Sequence, residues 1–561
     1  MKGVRHMIYN ERPWLKFYDE DVEPDLISQN ATCIDLLEKG FAEHAEKDAV
    51  HFMGKTLTFR QLYLYSCKFS TFLVDSGCSP GDVVGLNMPN IPQYLIAIAG
   101  TLRAGCIVSG VSPLMAPKEM IHQLNDSGAK VLVSLDTIYE EKVIKIQDDV
   151  PDLSHVVVTS MEEIFSLPDN TREKPKPIQG KTILTFRNIL DKYLTKPPKQ
   201  TIEVDDTCFI QYTGGTTGLP KGAELSQNGF ATNVLQFKQW HDVDPGNETM
   251  LSGFPFFHSA GLLFGVIGMS MGCTQILVPN PRDTSHICKE FAIYKPTIMA
   301  NVPSLYQMLF QNPAFEKLDF SQLKVCISGA APFPVESLKT FEKLVGKGKV
   351  NEGLGITEGS VLLMQNPRKG PNKIGTVGIP IQSTRVKLMD LNDGIKEVPI
   401  GEGGEIVVSA PQLFTGYHNN PKESAHALRM FQGEKWFYTG DVAKMDEDGY
   451  FTIVDRAKDM INVSGYKVFS REVEEILTEH PAVDSCAIVG MPDPDRPGSE
   501  LVKALIQLSK NYQNKERVEL KLSILEFFRE NMSPYKKPKI IKFVDQLPLT
   551  AVGKVDKKAL R

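Results

Sequence analysis

The residues best able to do chemistry stand together in Tyr212-Thr-Gly-Gly-Thr-Thr-Gly-Leu-Pro-Lys-Gly222, which holds four glycines, three threonines and one lysine. Such a run exposes backbone N–H groups, hydroxyl donors and a cation at once, and a polyphosphate can use all three as a cradle. Its candidate ligands are Thr213, Gly214, Gly215, Thr216, Thr217, Gly218 and Lys221. A Walker P-loop does not fit: that motif places Ser or Thr directly after Gly-Lys and opens into a helix, whereas Lys221 lies between Pro220 and Gly222. Kinase and translocase chemistry is disfavoured accordingly.

Further segments follow in order: Gly329-Ala-Ala-Pro332, Gly353-Leu-Gly-Ile-Thr-Glu358, Tyr438-Thr-Gly-Asp441, Asp455-Arg-Ala-Lys-Asp-Met-Ile461 and the closing Leu547-Pro-Leu-Thr-Ala-Val-Gly-Lys-Val-Asp-Lys-Lys-Ala-Leu-Arg561. With the glycine-rich loop, these resemble the motifs of the adenylate-forming superfamily, which includes acyl-CoA synthetases, firefly-type luciferases and the adenylation domains of peptide synthetases. The resemblance implies ATP cleaved at the α-phosphate by a carboxylic acid, with Mg²⁺ bridging phosphate oxygens. It implies that Thr357 contacts the α-phosphate and that Glu358 helps hold the metal, with Thr213 also on the metal side. Adenine would lie among Gly329, Ala330, Ala331 and Pro332 and the run Glu352, Gly353, Leu354 and Gly355; Leu354 departs from the aromatic that often stacks on the base. Asp441 would bind both ribose hydroxyls, Arg456 would also contact the nucleotide, and Lys554 would reach the carboxylate and the α-phosphate.

The second half-reaction needs a thiol on the same carbonyl, with AMP leaving and water excluded. The resemblance implies that a small C-terminal domain rotates about a hinge near Lys458. It then presents Val463-Ser-Gly-Tyr-Lys467, where Gly465 leaves room for the pantetheine of coenzyme A and Lys467 stands beside it.

For the acid, Pro255-Phe-Phe-His-Ser-Ala-Gly261 resembles the family segment whose histidine, here His258, borders the acyl pocket; a satisfied core histidine is the alternative. No Asp occurs between Phe254 and Pro279, where relatives that activate amino acids place one, so the acid should lack an α-amino group. Gly261, Gly265, Gly268 and Gly272 recur at helical spacing and either leave space for an acyl chain or pack a helix on a sheet. Leu86-Asn-Met-Pro-Asn-Ile-Pro-Gln93, the stretch from Val111 to Lys130 and that from Trp436 to Lys458 resemble bacterial long-chain fatty acyl-CoA ligases. The likeness runs from about Phe41 to the C-terminus, with the first forty residues outside it.

Elements must hold these groups in place. Asp82 to Asn87, Cys106 to Val111 and Lys130 to Ser134 read as strands, with helices at Pro92 to Ala104 and Lys118 to Asn125. This alternation predicts an α/β protein with a doubly wound, mostly parallel sheet that binds ligands at its carboxyl edge. Leu167 to Val204 is Pro- and Lys-rich and reads as a surface connection. Ser226 should cap a helix whose Phe230, Val234 and Phe237 share one face. Phe254 to Pro279 lacks charge but reads as a buried helix and a core strand rather than a membrane span. The final hundred residues read as a small α+β unit. The expected plan is a large N-terminal domain, residues 1–455, with doubly wound sheets and a distorted barrel subdomain, followed by a mobile domain over 456–561.

Composition sets the outer limits. At 561 residues the chain exceeds a single core. Its 42 % apolar and 23 % charged residues suit a soluble enzyme, and a net charge of -6 with dispersed lysines argues against a nucleic-acid partner. Nine scattered cysteines without ligand spacing read as buried hydrophobes in a reducing compartment. A secretory signal pattern is lacking, so a cytoplasmic location is expected; peripheral membrane contact and a homodimer are compatible with this reading. The sequence thus points to an AMP-forming synthetase for a medium- or long-chain fatty acid, using ATP, Mg²⁺ and coenzyme A. An aryl- or alicyclic-acid CoA ligase, or a ligase loading a carrier-protein thiol, is the alternative, and an inactive nucleotide-binding scaffold is disfavoured.

Overall fold

The computed structural model describes residues 9–26, 30–165, 174–196, 199–213, 220–463, 466–496, 499–549 and 555–561. Short apolar strands buried on both faces build two large sheets. In the first, Thr182–Thr185, His155–Thr159, Ala129–Leu135, Val83–Asn87, Ile107–Gly110 and Thr207–Thr213 lie side by side and parallel. Lys221–Ser226 and Gly416–Tyr417 extend that edge antiparallel. Every residue of Val83–Asn87 is buried, as a strand covered by helices on both faces requires.

The second sheet sets Val350–Ile356, Val325–Ser328, Ile298–Asn301, Thr249–Ser252, Thr274–Leu277 and Asp48–Phe52 parallel, in that order. Helices Pro92–Arg103 and Ser259–Ser270 have no exposed residue and share the largest core. The uncharged stretch from Phe254 to Pro279 is therefore a buried helix and the core strand Thr274–Leu277, as expected. No helix among the described residues is long and apolar enough to cross a membrane. All nine cysteines are free and buried.

The ridge of glycines on Ser259–Ser270 is filled by protein, not left open. A Cβ at Gly261 would stand 2.0 Å from the Pro255 carbonyl oxygen, and one at Gly268 would stand 2.2 Å from the Gln275 amide. Close packing thus accounts for both positions.

A third, antiparallel sheet follows. Its long strand Glu434–Met445 pairs with Gly404–Ser409, Leu428–Phe431 and Phe451–Arg456 along different parts of its length. The last unit has its own core of Val473, Leu477, Ile488, Ile506, Ile524 and Phe528. Strands Val483–Pro492 and Glu500–Leu508 pair antiparallel, Ile540–Val544 joins parallel, and helices Ser470–Thr478 and Arg517–Asn531 cover the sheet.

One expectation needs correction. Leu167 to Val204 is not merely a connection: Thr182–Thr185 completes the edge of the first sheet, and helix Phe186–Lys192 buries Phe186 and Ile189 beneath a Thr185 cap. Elements of four and seven residues are too short to show a period against their Pro- and Lys-rich flanks. The N-terminal segment is also built into the fold. Trp14 is fully buried, with its ring 6.1 Å from that of Phe451, and the Tyr18 hydroxyl donates to the Pro380 carbonyl at 2.6 Å.

Candidate active site

The glycine-rich loop springs from a β-hairpin. Thr207–Thr213 pairs antiparallel with Lys221–Ser226, Thr213 faces Lys221, and the Thr213 hydroxyl donates to the Lys221 carbonyl at 3.4 Å. Gly214, Gly215, Thr216, Thr217 and Gly218 lie outside the described residues. The hairpin leaves the carboxyl edge of the first sheet, where doubly wound folds bind ligands. Its base is held from helix Pro117–Ser127: the Tyr212 hydroxyl donates to Asp126 at 2.6 Å, and His122 Nε2 lies 3.0 Å from the Pro220 carbonyl oxygen.

Lys221 forms an ion pair with Glu423, and its ammonium stands 5.3 Å from the centre of the Tyr417 ring. The hydroxyl of Tyr417 in turn donates to Glu358 Oε1 at 2.7 Å. Glu358 is buried, which pushes its carboxyl above the usual range, while the Tyr417 hydrogen bond and the Arg456 charge oppose the shift. Next to it, the Thr357 hydroxyl lies 3.0 Å from that of Ser259. His258 caps helix Ser259–Ser270, its Nδ1 accepting from the Ala260 N–H at 3.4 Å. The loop carrying His258 is gripped by Asn90, which donates to the Phe254 carbonyl at 2.9 Å and accepts from the Phe256 N–H at 2.8 Å.

Asp441 and Arg456 face each other across neighbouring strands, with Arg456 Nε 3.1 Å from Asp441 Oδ1. Asp441 is buried, whereas the Arg456 side chain is nearly half exposed. Desolvation and the like charge of Arg456 hold Lys458 below an ordinary lysine pKa, and Asp441 and Lys221 are close enough to act on it as well. Lys221, Glu358, Tyr417, Glu423, Asp441, Arg456 and Lys458, from segments distant in sequence, therefore share one electrostatic neighbourhood.

Gly329 to Pro332 follow strand Val325–Ser328, and Glu352 to Gly355 lie within its neighbour Val350–Ile356 in the second sheet. Ala330 adopts a left-handed φ of 67°, a conformation unusual for a residue with a Cβ, and Gly329 approaches the Gly353 carbonyl. Leu354 is partly buried against the core, and Gly355 lies close to the Val361 carbonyl. Pro332 closes the turn before Phe333, whose N–H donates to Glu352 at 3.1 Å. Burial raises Glu352 to about 7 against the lowering effects of that N–H and of Arg471. Gly465 and Lys554 lie outside the described residues, as does the Lys467 side chain; the Lys467 backbone belongs to strand Tyr466–Val468.

Sequence reasoning missed Tyr417 and Glu423, which reach the site from strand Gly416–Tyr417 and helix Pro421–Ala427 and carry no local motif. Asn90 and Asp126 lie in segments that carry the resemblance, but their side-chain tasks were not legible there. Tyr417 offers a direct test. In Tyr417→Phe the ring beneath Lys221 remains but the hydroxyl bonded to the Glu358 carboxylate is lost, so the Glu358 pKa should rise and the acidic limb of the pH–activity profile should move to higher pH. A profile of kcat/KM for ATP against pH checks this, and an unmoved acidic limb contradicts it.

Glu352 supports a stability prediction. Its carboxyl is raised from 4.5 to about 7 in the fold, so the contribution of Glu352 to folding stability is fully present below pH 4.5 and is lost as pH rises through 7. The difference amounts to about 3 kcal/mol at the upper end. Glu352→Gln keeps an acceptor for the Phe333 N–H and removes the charge, so it should flatten the pH dependence of Tm between pH 5 and 8, measured against the unsubstituted chain.

Paired doubly wound sheets, a hairpin at the carboxyl edge of the first and a small α+β unit make up the fold of an adenylate-forming enzyme. The chain belongs to the AMP-binding enzyme family, which matches residues 37–418, and the AMP-binding enzyme C-terminal domain matches residues 472–554. It is 36 % identical to the long-chain-fatty-acid–CoA ligase of Bacillus subtilis (strain 168) and 36 % identical to that of Yersinia pestis, in each case over 98 % of both chains. That coverage extends into the first forty residues, which the sequence reading had set outside the resemblance. Among solved structures, the anthranilate CoA ligase AuaEII in complex with anthranoyl-AMP is 27 % identical, with a TM-score of 0.83 over 95 % of this chain and 97 % of that one. ATP-bound MatB from Rhodopseudomonas palustris, at 24 % identity and a TM-score of 0.81 over 94 % of this chain and 98 % of its own, shares the fold.

Proposed function

We propose that this AMP-forming acyl-CoA synthetase acts on medium- or long-chain fatty acids. One observation carries the nucleotide reading: Lys221, Tyr417, Glu358, Asp441 and Arg456 converge at the base of the glycine-rich hairpin. The likeness to long-chain-fatty-acid–CoA ligases supports the choice of acid.

In the first half-reaction a carboxylate oxygen of the acid attacks the α-phosphorus of ATP, and the bond to the departing pyrophosphate breaks. Lys221, released from Glu423, would bind phosphate oxygens beside the hairpin. Thr357 would donate to the α-phosphate, Asp441 would accept from the ribose hydroxyls, and Arg456 would exchange Asp441 for the nucleotide. Lys554 would sit between the two anions as a compact cation. In the second half-reaction the thiol sulfur of coenzyme A attacks the acyl carbon and AMP leaves. The proposed boundary lies near residue 455, with Lys458 as hinge and the strand pair around Gly465 and Lys467 turned toward the pantetheine.

The residues fit Mg²⁺. Among the described residues no cluster of three or more His, Cys, Asp or Glu forms a cage. Mg²⁺ suits one carboxylate plus substrate phosphates, and Glu358 is a buried carboxylate whose charge burial alone disfavours. Glu358, with Thr213 at the hairpin base, would hold it, and the ion would neutralise phosphate charge. A cytoplasmic location accords with the free cysteines.

A panel of acids from octanoate to oleate, with benzoate and ferulate for the aryl alternative, tests the reading. Each is incubated with ATP, Mg²⁺ and coenzyme A, and thioesters are identified by mass spectrometry. The expected result is AMP with long-chain thioesters. Aryl thioesters alone would move the assignment to an aryl-acid ligase, and AMP from no acid would end the synthetase reading.

A further inference from the structure

Strand Gly416–Tyr417 is two residues long, yet it carries the ring whose centre lies 5.3 Å from the Lys221 ammonium. So short an edge strand fixes its own register weakly. One side chain on the neighbouring strand brackets it. Glu224, in Lys221–Ser226, faces Gly416, and its two carboxylate oxygens reach the residues on either side of the short strand. Oε1 accepts from His418 Nδ1 at 2.6 Å, and Oε2 lies 3.4 Å from the Thr415 hydroxyl. The backbone repeats the pattern: the Thr415 N–H donates to the Glu224 carbonyl at 3.0 Å and the His418 N–H to the Gly222 carbonyl at 2.7 Å.

The bracket depends on charge. The groups that act on the His418 ring are the Glu224 carboxylate from the hairpin and Asp126 from helix Pro117–Ser127, through its carboxylate and its backbone carbonyl. Of their neighbours, the Tyr212 hydroxyl is bound to Asp126, and Lys221 is paired with Glu423. The hydrogen bond to Glu224 holds His418 above an ordinary histidine pKa, against partial burial and with the two carboxylate charges and the Asp126 carbonyl adding to it. The bracket is therefore complete below that pKa and loses its ion pair as pH rises through it.

We propose that His418 and Glu224 are positioning residues for ATP: their ion pair fixes strand Gly416–Tyr417 against the hairpin and so sets the Tyr417 ring beneath Lys221, the cation assigned to the phosphates. This deepens the synthetase reading and rests on its nucleotide part. Both side chains are partly exposed, 23 % for His418 and 30 % for Glu224, so the pair is of moderate strength and its loss should weaken binding without unfolding the edge.

The experiment uses the full chain and its His418→Gln, His418→Arg and Glu224→Gln variants. The dissociation constant for ATP with Mg²⁺ is measured by titration calorimetry from pH 6 to 9; the titration of the nucleotide itself is common to all four proteins and cancels between them. In the unsubstituted chain binding should weaken about fivefold from the low end to the high end, the scale of a partly exposed ion pair. His418→Gln and Glu224→Gln should be weak at every pH. His418→Arg stays cationic and should bind tightly at every pH, a rescue that a purely structural role of the ring would not give. The proposal is overturned if His418→Gln keeps the pH dependence of the unsubstituted chain, or if His418→Arg binds no more tightly than His418→Gln at the high end. No ATP binding by the unsubstituted chain would end the nucleotide reading and the proposal with it. The expected binding pattern without acid-dependent ATP–pyrophosphate exchange would support the clamp and end the synthetase reading instead.

Discussion

Lys554→Ala should lower acid-dependent ATP–pyrophosphate exchange by about 10²- to 10³-fold, the scale seen when one preorganised charge partner of a transition state is removed. Thioester formation from supplied acyl-AMP should be spared. The asymmetry follows from the charges. In the first half-reaction an anionic carboxylate must approach an anionic phosphate, and a compact ammonium placed between them offsets the repulsion while aligning the attacking oxygen. In the second, the acyl carbon is attacked by a thiol and the carboxylate charge is gone, so that cation has lost its task. Lys554→Arg should not restore full activity, because a planar guanidinium cannot occupy the place of a point charge between two anions. Exchange and supplied acyl-AMP turnover, measured on one preparation, check the split. Equal loss in both assays contradicts a role confined to the first step.

Much of the fold was legible because its strands and helices are long enough to show a period. Strand Val83–Asn87 and helix Pro92–Arg103 fall within a residue of the ranges read from apolar runs and Pro or Gly punctuation. The Ser226 cap was legible because a hydroxyl before an apolar helix has a local task, accepting from the Gly229 N–H at 3.1 Å. Thr182–Thr185 and Phe186–Lys192 were not legible, since their order comes from joining an existing sheet edge. The site divides in the same way. Thr357, Glu358, Asp441 and Arg456 sit in compact motifs, whereas Tyr417 acts on Glu358 across 59 positions of sequence. The side-chain pairing of Asp441 with Arg456 also depends on strand register, which a motif does not encode.

Glu358→Gln should weaken the dependence on Mg²⁺ most directly. The Glu358 carboxylate is buried, its charge is disfavoured by desolvation, and the Tyr417 hydroxyl holds one of its oxygens at 2.7 Å. Stability alone gives little reason to keep an ionised carboxylate there, because a neutral isostere would avoid the desolvation cost. A metal held beside the substrate phosphates would supply the missing counter-charge, with Glu358 as its carboxylate ligand. Glutamine preserves the shape and can still accept from Tyr417, but it lacks the charge. The concentration of Mg²⁺ giving half-maximal exchange should rise at least about tenfold and the maximal rate should fall about 10²-fold. Thermal stability without nucleotide should hold or rise, since the desolvation cost is removed. A titration of exchange against Mg²⁺, paired with Tm, separates these effects. A lower Tm with an unchanged Mg²⁺ midpoint would make Glu358 a structural carboxylate and leave Thr213 and the substrate phosphates as the only metal-side oxygens proposed.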